Sequence, residues 1–485
     1  MSARAVTLWT FVVTSVAIFM VSLDNLVVTT ALPVIKHDLG ASLQGLEWTV
    51  NAYTLTFAVL LLTGAALGDR FGRKRMFLVG LALFTAGSAA AALAPSIDWL
   101  IAARAVQGVG GAVVTPLTLT ILSAAVPPAR RGMALGIWGG VAGLAVALGP
   151  VVGGAIVDGL SWQWIFWLNV PIGIAVLPIA ALRLTESTGP NRSLDLPGLG
   201  LASAGLFGIV WGLVRGNEHG WTSLGVAGPI AAGLALLGAF VLWERRASEP
   251  MVPLRFFRNR AFSAANVTSL LMSFGMFGSI FLLAQFFQIV QGYTPLQAGL
   301  RTLPWTAMPI IVAPIAGMLS DRIGSRPLLV AGMALMAGGL AWMAAITAPT
   351  VAYVDLVPPF VMAGVGMSLY FAPVANLVLS TVRRKEEGKA SGVNNTIREV
   401  GGVFGVAVLA SVFSAVGGYL SPQSFVSGLT AAVWVGAVAV ALAGVAAVLI
   451  PPKQDVVPDS VSLLERVERD GSDDADAVCE PEAAA

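Results

Sequence analysis

The stretch LGDRFGRK at residues 67–74 recurs in the same chain as LSDRIGSR at residues 319–326, 252 residues further on. A second pair of similar segments, GMALG at 132–136 and GKASG at 388–392, has nearly the same spacing. Matches that share one spacing indicate an internal duplication. The sequence therefore predicts two related halves.

The chain around these repeats is too apolar for a soluble protein. Charged residues make up 11% of the 485 residues, whereas soluble domains carry about 25%. Hydrophobic residues make up 56%, and the mean hydropathy is +0.83. The bilayer is the solvent that fits this composition. A net charge of +2 argues against a nucleic-acid-binding protein, and the single Cys479 excludes an internal disulfide.

Fourteen apolar runs are long enough to cross a membrane, which takes about 20 residues per helix. They lie at 9–31, 48–67, 76–95, 99–122, 133–157, 164–183, 197–215, 224–243, 262–290, 299–319, 327–347, 354–380, 392–417 and 424–450. We predict an all-α membrane protein with two pseudo-symmetric six-helix bundles and two inserted helices. The predicted segments are the N-terminal bundle 1–190, the linker helices 191–261, the C-terminal bundle 262–450 and a disordered acidic cytoplasmic tail 451–485.

The distribution of basic residues predicts the orientation of these helices. With the N-terminus inside, the inner segments hold 23 of the 28 Lys and Arg residues and the outer segments hold three. This split follows the positive-inside rule. Both termini are therefore expected in the cytoplasm. Duplicated halves of this kind are typical of secondary transporters, which bind their substrate between the halves.

Two charged residues lie deep inside predicted spans, where a charge is costly and usually functional. Asp24 lies about 10 Å from the outer end of the first span, and Arg104 lies about 8 Å from the outer end of the fourth. Because these depths agree, we predict that the two side chains face each other and take part in proton coupling. A purely structural ion pair is the alternative. The repeat does not copy them, since Met276 and Phe360 occupy the matching positions.

Charged residues at the predicted cytoplasmic ends form a candidate gate. Asp69 is expected to bind the positive N-terminal end of another helix, with Asp321 doing the same in the other half. Arg398 and Glu399 lie in the first turns of the thirteenth span, and neighbouring helix residues point about 100° apart, so we expect them to pair with other partners. Substrate contact is the alternative for this pair. The candidate gate comprises Asp69, Arg70, Arg73, Asp321, Arg322, Arg398 and Glu399.

Two further sets have a predicted role inside the bundle. Polar side chains within spans are candidates for lining a substrate cavity, although hydrogen bonding between helices explains them equally well; they are Gln107, Asn266, Gln285, Gln288 and Asn376. Small residues on the fifth span are expected to let a neighbouring helix approach closely and to kink the helix. These are Gly140, Gly143, Gly149, Pro150 and Gly154.

Over residues 9–450 the chain resembles the major facilitator superfamily and, more narrowly, its fourteen-span drug:proton antiporter family. Five motifs carry the resemblance. They are the loop between spans two and three (Gly64 with 69–74), the span-four motif at 104–108, the span-five motif GPVVGG at 149–154, the span-one signature LDNLVVTTALP at 23–33, and SWQWIF at 161–166 followed by NVP at 169–171. In that family the span-four motif is linked to proton coupling, the span-five motif is typical of exporters, and the acid of the span-one signature falls on Asp24.

The resemblance implies a proton-coupled antiporter that exports hydrophobic or amphipathic drugs, antibiotics or natural products from a bacterial cell by alternating access. Its expected partners are a small-molecule substrate, protons and membrane lipids, with no cofactor and no metal, and a monomer is expected in the plasma membrane. Spans nine to twelve contain no acid beyond Asp355, so monovalent, neutral or zwitterionic cargo is expected. Lipid export or nutrient uptake within the same superfamily are alternatives.

Two functions of other classes are less compatible with the sequence. A membrane enzyme is disfavoured, because the chain lacks H-E-x-x-H, a nucleotide-binding Gly-Lys-Ser/Thr loop and a Ser/His/Asp set. A sensor or scaffold that has lost transport is expected to lose Asp24 or Arg104 first, and both are present.

Overall fold

The computed structural model describes residues 3–126, 131–188, 195–382 and 386–452, and within these ranges the chain is helical and contains no strand. The first half comprises α1 (Ala3–Leu39), α2 (Leu43–Phe71), α3 (Arg73–Ala92), α4 (Ile97–Ala125), α5 (Arg131–Gly159), α6 (Trp164–Trp167) and α7 (Asn169–Arg183). The inserted helices are α8 (Leu196–His219) and α9 (Leu224–Glu244). A short 3-10 helix (Leu254–Arg258) leads into the second half. That half comprises α10 (Arg260–Gln285), which continues as a π-helical turn (Phe286–Val290), then α11 (Pro295–Thr306), α12 (Met308–Ile323), α13 (Ser325–Ile346), α14 (Tyr353–Ser380), α15 (Glu387–Val416) and α16 (Pro422–Val448).

The predicted all-helical membrane fold is confirmed. In the part of the chain that the structure describes, thirteen helical segments are long and apolar enough to cross a membrane, with α6–α7 and α11–α12 each serving as one segment. The remaining predicted span, 133–157, forms α5, of which Leu148–Gly159 is an apolar helix within the described residues. The first helix continues beyond the predicted 9–31 as far as Leu39, so Asp24 lies near the middle of α1 rather than close to its end. The tail from residue 453 onward lies outside the described residues.

The internal duplication is visible in the turns between helices. Among the described residues, six glycines have positive φ angles, a conformation that other residues rarely adopt, and four of them lie in corresponding turns of the two halves. They form two pairs that are each 252 residues apart: Gly40 (φ 59°) with Gly292 (φ 67°), and Gly72 (φ 106°) with Gly324 (φ 82°). The second pair lies within the repeated LGDRFGRK and LSDRIGSR stretches. The repeat therefore preserves the residues that turn the chain between successive helices.

Helix caps show the same duplication. The Ser42 side chain accepts a hydrogen bond from the backbone N–H of Gly45 at the start of α2. At the matching position, Thr294 accepts one from the backbone N–H of Gln297 at the start of α11. Each cap satisfies a backbone donor that has no partner within the helix. The two halves thus begin corresponding helices with the same local chemistry.

The two halves meet along two helix pairs, α2 with α15 and α5 with α11, which we call the central seams. The inserted helices pack on each other, and α8 also contacts α2 and α15. The predicted orientation places the contact between α5 and α11 at the outer side of the membrane. Near it, Gln288 Nε2 of the second half donates a hydrogen bond to the backbone oxygen of Thr30 in the first, at 2.8 Å. The halves are therefore closed against each other at this end.

Small residues allow the close approach of α5 and α11. A Cβ added to Gly154 would overlap the backbone oxygen of Pro295, and one added to Gly299 would overlap the backbone oxygen of Pro150. On the other side of α5, Gly149 packs against Leu26 of α1. The predicted role of this part of the stripe in helix packing agrees with these contacts. Farther along α5, Gly140 has open space, and the surroundings of Gly143 lie outside the described residues.

Replacing Gly154 by Ala is expected to destabilise the protein, because the neighbouring backbone of α11 is not free to move like a side chain. Overpacking of this kind costs about 1–3 kcal/mol. Gly140→Ala is a matched control on the same helix, since nothing lies within 4 Å of its added Cβ. Thermal unfolding followed by tryptophan fluorescence should show a lower midpoint for Gly154→Ala only. Equal midpoints for both variants would contradict the close contact.

Candidate functional site

The predicted contact between Asp24 and Arg104 is present at the centre of the first half. Arg104 Nη1 donates to Asp24 Oδ2 at 2.5 Å, and each residue is only 1% exposed. The other carboxylate oxygen, Oδ1, accepts hydrogen bonds from Gln107 Nε2 at 2.7 Å and from Asn169 Nδ2 at 2.8 Å. Asp24 is therefore a buried carboxylate with a charged partner on one oxygen and two amide donors on the other.

The partners of Asp24 are connected to one another and to further helices. Arg104 Nη1 also donates to Gln107 Oε1 at 2.7 Å, and Gln107 Nε2 donates to Ser88 Oγ at 2.8 Å. The guanidinium of Arg104 lies 4.2 Å above the ring centroid of Tyr53. Side chains from α1, α2, α3, α4 and α7 thus meet around one carboxylate. We call Asp24, Arg104, Gln107, Ser88 and Asn169 the N-half network.

This arrangement is suited to proton uptake and release. A protonated Asp24 loses its charge and becomes a donor, whereas the guanidinium of Arg104 keeps its charge and has only donors. Uptake of one proton therefore removes the ion pair with Arg104, while Oδ1 still accepts from the two amides. Because the partners of Asp24 lie on other helices, a single protonation changes the contacts between α1 and its neighbours.

Sequence reasoning missed several members of this network. Asn169 and Ser88 are buried polar residues in apolar helices. Asn169 belongs to a motif of the family that the chain resembles, but neither residue was assigned a role. Nothing in the spacing links Asn169 to Asp24, because the two are 145 residues apart. Gln107 was predicted to line a cavity, but it hydrogen-bonds to both members of the ion pair instead.

A second buried ion pair lies in the other half. Arg398 Nη2 donates to Glu399 Oε1 at 2.9 Å, and Glu399 is 4% exposed. The expectation that these neighbours pair with other partners was wrong, because the long arginine side chain bends across the intervening 100°. Their placement in the first turns of the helix was also wrong. Helix α15 already begins at Glu387, which puts Arg398 about 17 Å from its start, far from a cytoplasmic gate.

Three of the remaining gate residues, Asp69, Arg70 and Arg73, lie where α2 ends and α3 begins. Asp69 Oδ1 accepts hydrogen bonds from Arg73 Nε and Nη2 at 3.0 and 2.9 Å, rather than binding the end of a helix in the other half. The N-terminus of α3 is instead bound by Glu186, whose carboxylate oxygens accept from the backbone N–H groups of Lys74 and Arg75 at 2.9 and 3.2 Å. The expected type of contact exists, but Glu186 makes it.

Two other gate residues have no comparable contact. Arg70 lies over the ring of Phe71, with 5.2 Å between the guanidinium carbon and the ring centroid. Arg322 is exposed. The side chain of Asp321 lies outside the described residues, so its predicted role stays a prediction.

The cavity candidates of the second half mostly join helices. Asn266 accepts from Asn394 Nδ2 at 3.2 Å and donates to a backbone oxygen on its own helix. Gln285 Oε1 accepts from the hydroxyl of Tyr419 at 2.5 Å, and burial raises the pKa of Tyr419, which keeps that hydroxyl a donor. Asn376 is exposed near the end of α14. These contacts favour interhelical hydrogen bonding for Asn266 and Gln285.

A small apolar recess lies where the halves meet. It has room for about one water molecule, and its lining includes Thr29 and Thr30 of α1, Ile280 of α10 and Trp305 of α11. Within the described ranges, no group of three or more His, Cys, Asp or Glu residues is placed to hold a metal ion. The recess and the N-half network therefore share one helix, α1, which carries both Thr29 and Thr30 and Asp24.

Comparison with known proteins assigns this architecture to one family. The family model described as Major Facilitator Superfamily matches residues 14–406. The chain is 36% identical over 418 residues to a tetracenomycin C resistance and export protein of Streptomyces glaucescens, which covers 86% of this chain and 78% of that protein. It is 41% identical over 404 residues to a cephamycin export protein of Amycolatopsis lactamdurans, covering 81% and 82% of the two chains.

A solved structure supports the fold. A bacterial homologue of the human lysosomal transporter Spinster, in an inward-facing and unoccupied conformation, superposes with a TM-score of 0.66 at 16% identity. The match covers 93% of this chain and 98% of that one. At this identity the likeness concerns the fold alone.

Proposed function

The chain belongs to the Major Facilitator Superfamily, and from this premise we propose that it is a proton-coupled antiporter that exports hydrophobic or amphipathic drugs, antibiotics or natural products across a bacterial plasma membrane. The observation that carries the proposal is the buried Asp24–Arg104 pair at the centre of the N-half network. The relatives described above support the cargo class, because they are named as export proteins for antibiotics. The positive-inside distribution supports cytoplasmic termini.

The proposed cycle begins with the halves closed at their outer ends, as in the contacts of Gly154 with α11 and of Gln288 with Thr30. Cargo enters from the cytoplasm into the space between the halves. When the outer ends separate, a proton from outside binds Asp24, the ion pair with Arg104 breaks and cargo leaves. Release of the proton to the cytoplasm restores the pair and resets the cycle.

A direct test measures proton movement driven by candidate cargo. Everted membrane vesicles containing the protein would be acidified inside, and the pH gradient would be followed with a fluorescent amine. Tetracenomycin C, a cephamycin and ethidium would be added in turn. We expect at least one compound to dissipate the gradient in vesicles with the protein and not in vesicles without it.

The control for this test is an uncoupler added at the end of each trace, which shows that a gradient was present. Accumulation of the same compound inside the vesicles should accompany the loss of the gradient. Accumulation that persists after the gradient is abolished would refute proton coupling. Failure of every compound to move would refute export of this cargo class.

A further inference from the structure

Arg398 lies inside the protein but is still accessible. Its helix, α15, is in contact with α2, α8, α10, α14 and α16, so it is surrounded by other helices rather than by lipid. Nevertheless, 29% of the Arg398 side chain is accessible, compared with 5% for Glu399. A charged side chain at membrane depth faces the protein interior or a water-filled cavity. Arg398 is therefore a partly accessible charge near the central seam formed by α2 and α15.

The guanidinium of Arg398 has hydrogen-bonding capacity to spare. Arginine carries five N–H donors in a planar fork that matches a carboxylate or similar anion with two parallel bonds. Among the described residues, the single hydrogen bond of this side chain runs from Nη2 to Glu399 Oε1. Because the two residues are adjacent on one helix, the guanidinium binds the carboxylate through one N–H group and not through two parallel hydrogen bonds.

The carboxylate of Glu399 is also incompletely satisfied. Its second oxygen, Oε2, is buried and has no hydrogen-bond partner among the described residues. Both residues lie on α15, which packs against α2 of the first half and against α14. The pair therefore lies on the helix that forms the central seam with α2 of the first half.

We propose that Arg398 is a binding site for an anionic group of the cargo, such as a carboxylate, a sulfonate or a phenolate, and that Glu399 is the built-in counter-ion that occupies it when cargo is absent. An incoming anion competes with Glu399 for the guanidinium and gains two charged hydrogen bonds in place of one. Arginine cannot lose its charge at cellular pH, so its guanidinium remains a charged hydrogen-bond donor in every step of a transport cycle. The identification of the anion as cargo rests on the proposed export function; the anion site itself does not.

The test uses two dyes with the same xanthene scaffold and opposite charge, fluorescein and rhodamine 123. Binding of each dye to the purified full-length protein in nanodiscs would be measured by fluorescence polarisation. Arg398→Gln is expected to weaken fluorescein binding about tenfold, as befits the loss of a charged hydrogen bond, and to leave rhodamine 123 binding unchanged or tighter. Glu399→Gln should strengthen fluorescein binding, because it removes the competing anion.

Two further variants test whether weaker fluorescein binding could instead result from misfolding or from the loss of any positive charge. Arg398→Lys keeps the charge but lacks the fork, so its affinity for fluorescein should fall between those of the wild type and Arg398→Gln. Arg215→Gln removes a basic residue that stacks on Trp211 at the end of α8, and it should bind both dyes like the wild type.

The outcomes of the dye-binding assay can be distinguished from those of the vesicle assay for export. The proposal is overturned if the wild type does not bind fluorescein, if Arg398→Gln weakens both dyes equally, or if Glu399→Gln weakens fluorescein binding. Charge-selective binding together with inactive vesicles would instead refute the export function and leave the anion site standing.

Discussion

Vesicles that contain Asp24→Asn are expected to show no cargo-driven loss of a pH gradient, at any concentration that saturates the wild type. Asparagine has nearly the same shape as aspartate but cannot bind and release a proton at this position. The amides of Gln107 and Asn169, which donate to Asp24 Oδ1, can each rotate to present an oxygen to the new amide group. The N-half network therefore loses its titratable group while keeping most of its contacts.

The control for this variant is Asp98→Asn, which makes the same chemical change at a carboxylate in the first turn of α4, outside the N-half network. It should move protons like the wild type. Exchange of labelled for unlabelled cargo without a pH gradient provides a second readout, because exchange needs binding and alternating access but no net proton movement. We expect Asp24→Asn to retain exchange. Proton movement by Asp24→Asn at the wild-type rate would exclude Asp24 as the coupling residue.

The parts of the structure that the sequence predicted best are those where one physical requirement has few solutions. Two opposite charges in apolar helices must find each other, and Asp24 and Arg104 do. The repeat at 67–74 and 319–326 was also recognised, and the structure places a positive-φ glycine, Gly72 or Gly324, in each copy. In both cases the residue types and their positions in the sequence were enough for the prediction, and no contact between distant segments had to be known.

The parts that sequence reasoning missed depend on contacts between distant segments. Asn169 reaches Asp24 only because α7 packs against α1, and Glu186 binds the start of α3 only because the chain returns there after α7. Arg398 and Glu399 were misplaced for a different reason. The run of apolar residues that marked the span begins after the helix itself, since polar residues from Glu387 onward already form its first turn. Hydropathy locates the membrane core and not the helix end.

The ion pair between Asp24 and Arg104 predicts that its two single variants lose different amounts of stability. Removing one partner of a buried pair typically costs ~3–5 kcal/mol, because it leaves an uncompensated charge. Asp24→Asn leaves the guanidinium of Arg104, which cannot shed its proton. Arg104→Gln leaves the carboxylate of Asp24, which can become neutral by taking up a proton from water. We therefore expect the larger fall in thermal unfolding midpoint for Asp24→Asn and a smaller one for Arg104→Gln.

The double variant Asp24→Asn with Arg104→Gln decides whether charge is the cause. With both charges gone, the two introduced side chains are neutral amides that can hydrogen-bond to Gln107 and Asn169, and neutral replacements of buried ion pairs are often tolerated. Its unfolding midpoint should recover above that of Asp24→Asn, while cargo-driven proton movement stays absent. If the fall in midpoint of the double variant equals the sum of the falls of the two single variants, the two residues do not interact energetically. In that case the contact of 2.5 Å between them would not be what stabilises this part of the fold, and the coupling between protonation and helix packing would lose its physical basis.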